Sequence, residues 1–252
     1  MKKPFKIFLW LIITVFIIIF GFSITYLGLQ KRELAKFHPL KTGRQIDNVY
    51  AINDDFVNMF LIQKSDHYIA VDAGNNADTI RKVLDQLHID PAKVSTVLLT
   101  HTDYDHVAGL KIFTHAKVYL SRPEEKMING QVHRFFIFNN LIGKPYHLLD
   151  DLTSVSMDGF TVQTIITPGH TVGSACFVID GQYLFTGDTL SLHRKRVDHF
   201  NGFFNMNTTE QVHSIQKIAH LPKIKYLFTA HYGMTGHYTK AFRKWNIIHT
   251  KK

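Results

Sequence analysis

Between Thr100 and Gly109 the chain reads THTDYDHVAG, which places four metal-capable side chains, His101, Asp103, Asp105 and His106, within six residues. They follow Val94–Thr100, an apolar and β-branched run that reads as a strand buried on both faces. Side chains share a helix face only at spacings of three or four, so these four do not form one face of a helix. A loop at a strand end can turn several of them toward one point, with a helix over Val107–Phe113 beginning just beyond. The bland alternative is a solvated polar loop.

Three further segments argue against that alternative. In ITPGHTVGSA, His170 follows the strand Phe160–Ile166 and a Pro-Gly turn. In LFTGDTL, Asp188 follows a strand through Gly187, and in LFTAHYG, His231 follows the strand Lys225–Thr229. Asp180-Gly181 is a two-residue turn signal, so Ala175–Ile179 and Gln182–Thr186 fold back as a hairpin. The ends near His170 and Asp188 then emerge on one side of a sheet, and four strand-end segments point to one rim. Elsewhere Val57–Gln63 and His67–Asp72 read as a second hairpin. Ile80, Val83, Leu84 and Leu87 recur at helical spacing behind Asn75 or Asn76 as a cap. Val212, Ile215 and Ile218 line another helix that Asn207 caps, with Glu210 reaching back. This mixture predicts an α/β (α+β) domain of sheets covered by helices.

In order, HxDxDH, PGHT, FTGDT and AHYG resemble the metallo-β-lactamase superfamily over roughly Gln45–His237. The resemblance implies a four-layer αβ/βα sandwich, two sheets face to face with helices outside. It also implies two divalent metal ions, the first held by His101, Asp103 and His170 and the second by Asp105, His106 and His231. Asp188 would bridge them, as a carboxylate can with one oxygen on each cation. The expected metal is zinc, which brings bound water to a pKa of about 7. Asp103 stands where the family most often has a second His, and its hard oxygen favours Mn or Fe more than an imidazole would.

The function implied is hydrolysis of a small ester-like bond, a lactone, thioester or related group, by attack of a metal-bound hydroxide, with Asp105 and Asp188 as the catalytic carboxylates. PGHTVGS and FTGDTL look most like hydroxyacylglutathione hydrolases and acyl-homoserine lactonases. A β-lactamase or phosphodiesterase on the same site is the alternative. From another class, a diiron redox protein has Asp103 as its one argument, but it would need an electron donor and no flavin-binding domain is attached. Asp72, in VDAG, is expected either to orient His101 or to stabilise a turn.

At the N-terminus, Ile7–Leu29 holds 23 residues without a charge, enough at 1.5 Å per residue to cross about 30 Å of hydrocarbon. No A-x-A-like cleavage site follows it, which favours a retained anchor. The expected organisation is therefore an anchor and connector over 1–36, with the span at about 7–29, and a hydrolase domain over 37–252. Lys2, Lys3 and Lys6 on one flank nearly balance Lys31, Arg32 and Lys36 on the other. The short N-terminal flank favours a single-pass cell-membrane protein with its catalytic domain outside.

The net charge of +9 suggests nucleic acid only until it is divided. Those six basic residues against Glu33 put +5 in residues 1–36 and leave +4 for the domain. No nucleic acid is expected, and the partners are a small-molecule substrate and the membrane. The lone Cys176 sits in an apolar run and reads as a small buried hydrophobe. Arg194, Lys195 and Arg196 read as a solvated basic loop, with a substrate carboxylate as the sharper alternative.

Overall fold

The computed structural model describes residues 2–134 and 138–246. The end of the expected domain, 247–252, lies outside the described residues. The chain forms two compact units, Met1–Phe37 and His38–Lys252.

The first unit is one helix, α1 (Lys2–Leu34), within which Phe8–Leu34 is long and apolar enough to cross a membrane. Its aliphatic hydroxyls are turned inward: Thr14, Ser23 and Thr25 each donate to the carbonyl four residues back, at 2.8–2.9 Å. Lys31 and Arg32 sit in its last turn, where cations meet the negative end of the helix dipole.

The second unit is built on two sheets. β1 (Gly43–Ile46), β2 (Val49–Asp54), β3 (Val57–Lys64), β4 (His67–Val71), β5 (Val94–Leu98), β6 (Lys117–Ser121) and β7 (Tyr146–Leu149) lie side by side in chain order. The first four pair antiparallel, and β4 to β7 pair parallel. The crossover between β4 and β5 is α2 (Ala77–Gln86), whose N-cap is Asn76, accepting from Asp78 and Thr79 backbone N–H at 2.9 and 3.0 Å.

The second sheet holds β8 (Ser154–Met157), β9 (Phe160–Ile166), β10 (Ala175–Ile179) and β11 (Tyr183–Phe185). After a separate hairpin, β12 (Leu190–His193) with β13 (Arg196–His199), it is completed by β14 (Tyr226–Phe228) and β15 (Met234–Thr235). Its order is β15-β14-β11-β10-β9-β8.

Strand alternation decides what each sheet buries. Met59 and Leu61 of β3 face a core with Ile80 and Leu84 of α2, while Phe60 and Ile62 face the second sheet and meet Phe160, Phe177, Phe185 and Phe228. Cys176, Leu184 and Leu227, on the opposite face of the second sheet, are fully buried too. The helices α3 (Tyr104–Val107) and α4 (Glu125–Ile128) follow β5 and β6, and α5 (Thr208–Ile218) donates from Lys217 to the Ile166 carbonyl at the end of β9, at 3.0 Å. Asn207 caps α5 through Glu210 N–H at 3.1 Å. The result is the expected αβ/βα sandwich.

Two local expectations need correction. The helix expected over Val107–Phe113 is instead the one-turn α3 followed by a 3-10 turn at Leu110–Ile112. Gly109 between them sits against the Ala73 carbonyl, and a Cβ there would lie 2.1 Å from that oxygen, so the chain breaks its helix to pack on β4's end. Asp105 and His106 accordingly lie on α3 and not in the loop.

Candidate metal centre

All seven residues singled out from the sequence converge. His101 Nε2, Asp103 Oδ2 and His170 Nε2 form one group, with Asp103 Oδ2 at 3.6 Å from His101 and 3.2 Å from His170. Asp105 Oδ2, His106 Nε2 and His231 Nε2 form a second, at 3.6 Å from Asp105 to His106 and 3.4 Å from Asp105 to His231. Asp188 lies between them: Oδ2 is 3.3 Å from His170, 3.9 Å from His101 and 3.7 Å from His106, and Oδ1 is 3.2 Å from His231.

The donor set fits divalent cations. Zinc bonds of about 2.0–2.2 Å in a tetrahedron put donors roughly 3.3–3.6 Å apart, close to the spacings found. His101 Nε2, His106 Nε2 and Asp188 Oδ1 are buried atoms without a hydrogen-bond partner, a cost that a cation would remove. Asp103 sits at the N-cap position of α3, where an aspartate ordinarily accepts from the helix N–H groups, yet it makes no cap bond and turns to the imidazoles instead.

Each imidazole is aimed by a partner on its other nitrogen. Asp72 Oδ2 is 2.9 Å from His106 Nδ1, and both Asp72 oxygens accept from Thr100. Asp72 therefore positions His106, not the expected His101, whose Nδ1 meets Thr100 Oγ1 at 3.1 Å. Asp72 does this from φ 62°, a conformation that side chains rarely adopt. His170 Nδ1 meets Asn205 Oδ1 at 3.3 Å, and His231 Nδ1 meets the Phe56 carbonyl at 2.7 Å.

Three contributors carried no sequence signal. Arg134 reaches Asp103 Oδ2 at 3.1 Å, His170 Nε2 at 3.2 Å and the Phe204 carbonyl. Asn140 donates to Asp103 Oδ1 at 3.2 Å. Glu124, fully buried on the turn before α4, accepts from Thr102 N–H and hydroxyl through Oε1 and from Thr171 hydroxyl and Gly173 N–H through Oε2, tying the His101 loop to the His170 loop. Gly173 is obligatory, since a Cβ there would stand 2.0 Å from Glu124 N.

Electrostatics follow from this crowding. Burial pushes the Asp103 carboxyl up, but Arg134, with hydrogen bonds from His101 and His170, holds it well below the carboxylate range. Burial and Arg134 together hold His170 down to about 4. Burial opposes protonation of His106 and His231, yet facing carboxylates outweigh it: Asp105, Asp72 and Asp188 raise His106 well above its ordinary value, and Asp188 and Asp105 raise His231. Burial raises Asp188, and His231, His106 and His170 pull it well below its ordinary value.

Outside the cluster, Cys176 is buried and its thiol pushed up to about 11 by burial, as a structural thiol should be. Arg194 and Lys195 form the exposed turn of the β12–β13 hairpin; Arg194 and Arg196 line a cleft with His38, His193 and Lys240 that holds none of the seven.

A model of the metallo-beta-lactamase superfamily matches residues 52–231. Among curated proteins the chain is 34% identical over 158 residues to the probable polyketide biosynthesis zinc-dependent hydrolase BaeB of Bacillus velezensis, covering 61% of this chain and 62% of that protein. It is 30% identical over 181 residues to a hydroxyacylglutathione hydrolase of Serratia proteamaculans, covering 69% and 61%. The chain thus spans about three fifths of the length of these curated relatives. Two solved structures share the fold. A B3 metallo-beta-lactamase with an active-site glutamic acid is 18% identical, with TM-score 0.63 over 88% of this chain and 93% of that one. A metallo-beta-lactamase family protein of Thermus thermophilus is 19% identical, with TM-score 0.60 over 81% and 79%.

Proposed function

The chain belongs to the metallo-β-lactamase superfamily, and from that premise we propose that it is a metal-dependent hydrolase of a small ester-like bond, a lactone or a thioester. The observation that carries this reading is the meeting of seven donors in two trios with Asp188 between them, three of the donor atoms being buried without a hydrogen-bond partner. His101, Asp103 and His170 would hold one cation, Asp105, His106 and His231 the other, and Asp188 both. Bound cations supply Lewis acidity and, if zinc, a water pKa of about 7.

The protein's own part is orientation and proton transfer. Asp72, Asn205 and the Phe56 carbonyl fix three imidazoles, and Glu124 locks two of the loops together. Asp105 has the most exposed side chain of the seven, at 21%, and is placed to take the proton of an attacking water at its carboxylate. The name of the polyketide relative favours zinc, and the hydroxyacylglutathione relative favours a thioester. Within this reading α1 is a retained anchor with the catalytic domain outside.

Metal analysis of the purified full chain, with a panel of lactone, thioester, β-lactam and phosphodiester substrates, tests the proposal. About two metals per chain and turnover confined to lactones or thioesters is the expected result. A chain that binds no metal, or that cleaves none of the four classes, would refute it.

A further inference from the structure

Outside α1, the large hydrophobic side chains that stand exposed among the described residues are Tyr104, Phe138, Leu141, Leu152, Val155 and Phe203. Leu152 and Val155 belong to the turn after β7 and to the edge strand β8. The other four lie in the segments that carry or brace the metal centre. Tyr104, 72% exposed, stands between Asp103 and Asp105. Phe138 and Leu141, 70% and 80% exposed, flank Asn140, whose amide donates to Thr102 Oγ1 at 2.9 Å and to Asp103 Oδ1. Phe203 precedes Phe204, whose carbonyl receives Arg134, and lies two residues before Asn205, the partner of His170.

All four therefore stand within two residues of one of the seven side chains or of a residue hydrogen-bonded to one, a backbone reach of no more than about 7 Å. Scattered exposed apolar residues are ordinary, but four of six drawn around one highly polar centre mark a surface that something apolar covers. A ligand seated at the seven side chains meets the segments that carry this collar of four residues, and that adjacency points to the substrate itself.

Resting on the hydrolase reading above, we propose that Tyr104, Phe138, Leu141 and Phe203 form an acceptor for the unbranched hydrocarbon part of an acyl substrate, so that this hydrolase selects long-chain acyl esters over short, polar ones. The scissile carbonyl sits at the donor cluster and the chain lies outward across the collar. A methylene taken fully out of water is worth about 0.8 kcal/mol, roughly fourfold in kcat/KM, and on an open collar the gain is about two- to fourfold per methylene.

The test uses the full-length, metal-loaded protein and a series of acyl thioesters from butyryl to dodecanoyl, kept below their micellar concentrations. Wild-type kcat/KM is expected to climb with chain length, and Phe138→Ser and Leu141→Ser, at exposed positions, to flatten the climb, lowering the dodecanoyl rate several-fold more than the butyryl rate. Thermal unfolding of both variants checks that the fold is kept, and Phe138→Leu should restore most of the slope lost in Phe138→Ser. Rates indifferent to chain length in the wild type would overturn the proposal. Slopes unchanged in both serine variants would overturn it as well. Absence of turnover at every length strikes instead at the hydrolase reading.

Discussion

In the proposed site Asp103 would stand in for an imidazole with Arg134 supplying the compensating charge, and a double-mutant cycle on the two measures it. The side chains are 14% and 10% exposed and meet at 3.1 Å. At an effective dielectric near 20, unit charges at that distance attract by roughly 5 kcal/mol, before desolvation is subtracted. Asp103→His leaves the guanidinium buried without its counter-charge and beside a cation position, a change that costs about 3–5 kcal/mol. Metal content should then drop from about two toward about one per chain, since Asp105, His106 and His231 are untouched. Arg134→Gln in the same chain removes the stranded charge and should restore the second metal, with zinc now preferred over manganese because imidazole is the softer ligand. Zinc affinity by competition with a chromophoric chelator gives the coupling, expected at about 1–3 kcal/mol. If the two substitutions combine additively to within about 0.5 kcal/mol, Arg134 does not compensate Asp103 and the account is wrong.

Asp188→Asn should lower turnover by orders of magnitude and release at least one metal, because an amide does not bridge two cations; unchanged metal content on elemental analysis would remove Asp188 from the site. Asp72→Ala should weaken metal binding about 10–100-fold through His106 while leaving His170 held by Asn205, with Asp72→Asn closer to wild type in fold but not in affinity; equal affinities in chelator competition would show that Asp72 only shapes its turn. The carboxylates around His106 and His231 favour their protonated forms, so protons compete with a metal there, whereas burial and Arg134 hold His170 down to about 4. Metal affinity should therefore rise with pH through and above the ordinary histidine range, and calorimetry in buffers of different ionisation enthalpy should detect proton release; uptake of protons would contradict the charge arrangement. If α1 is a retained anchor, the intact mass of the membrane-extracted protein includes residues 1–36, and a species beginning beyond Leu29 would mark it as a cleaved leader.

The sequence exposed those features whose cause is local. Strand ends followed by His or Asp, the Asp180-Gly181 turn and the Asn207 cap each announce themselves within a few residues; the cap lies where it was expected, and the turn does too but takes in Gln182 as a third residue, because Ile179 pairs with Tyr183. The short strands that needed neighbours to be strands, such as β7 and the β12–β13 hairpin, gave no such sign. Their side chains alternate only weakly, and pairing rather than propensity holds them. The same division applies to the site. The seven candidate ligands that the fold brings together were legible from residue type and spacing, while Arg134, Asn140 and Glu124 were not, because a lone Arg, Asn or Glu in a polar stretch looks like any solvated residue until the fold buries it. Asp72 was visible as a candidate but its target was not. Whether it reaches His101 or His106 depends on Thr100 filling the space between, which only the packing of β4 against β5 determines.

These unannounced residues explain how loops from four strand ends can hold the seven side chains together. A loop fixed only at its own ends would let His101 and His170 drift apart, and metal ligands at donor spacings near 3.2–3.9 Å tolerate little drift. Glu124 removes that freedom by accepting from both loops at once, on an oxygen for each. Gln211, from α5, does the same further along: it donates to the Asp188 carbonyl at 3.0 Å and exchanges hydrogen bonds with Asn205, so Asp188 and the partner of His170 share one buried amide. Each cross-link is a buried polar group with its hydrogen bonds satisfied by backbone or side chain of a second loop, which in a low-dielectric interior fixes geometry because any displacement leaves an unpaired donor. The cluster's precision therefore comes from the residues that join its loops, and the loops themselves need only present the right side chains at the rim.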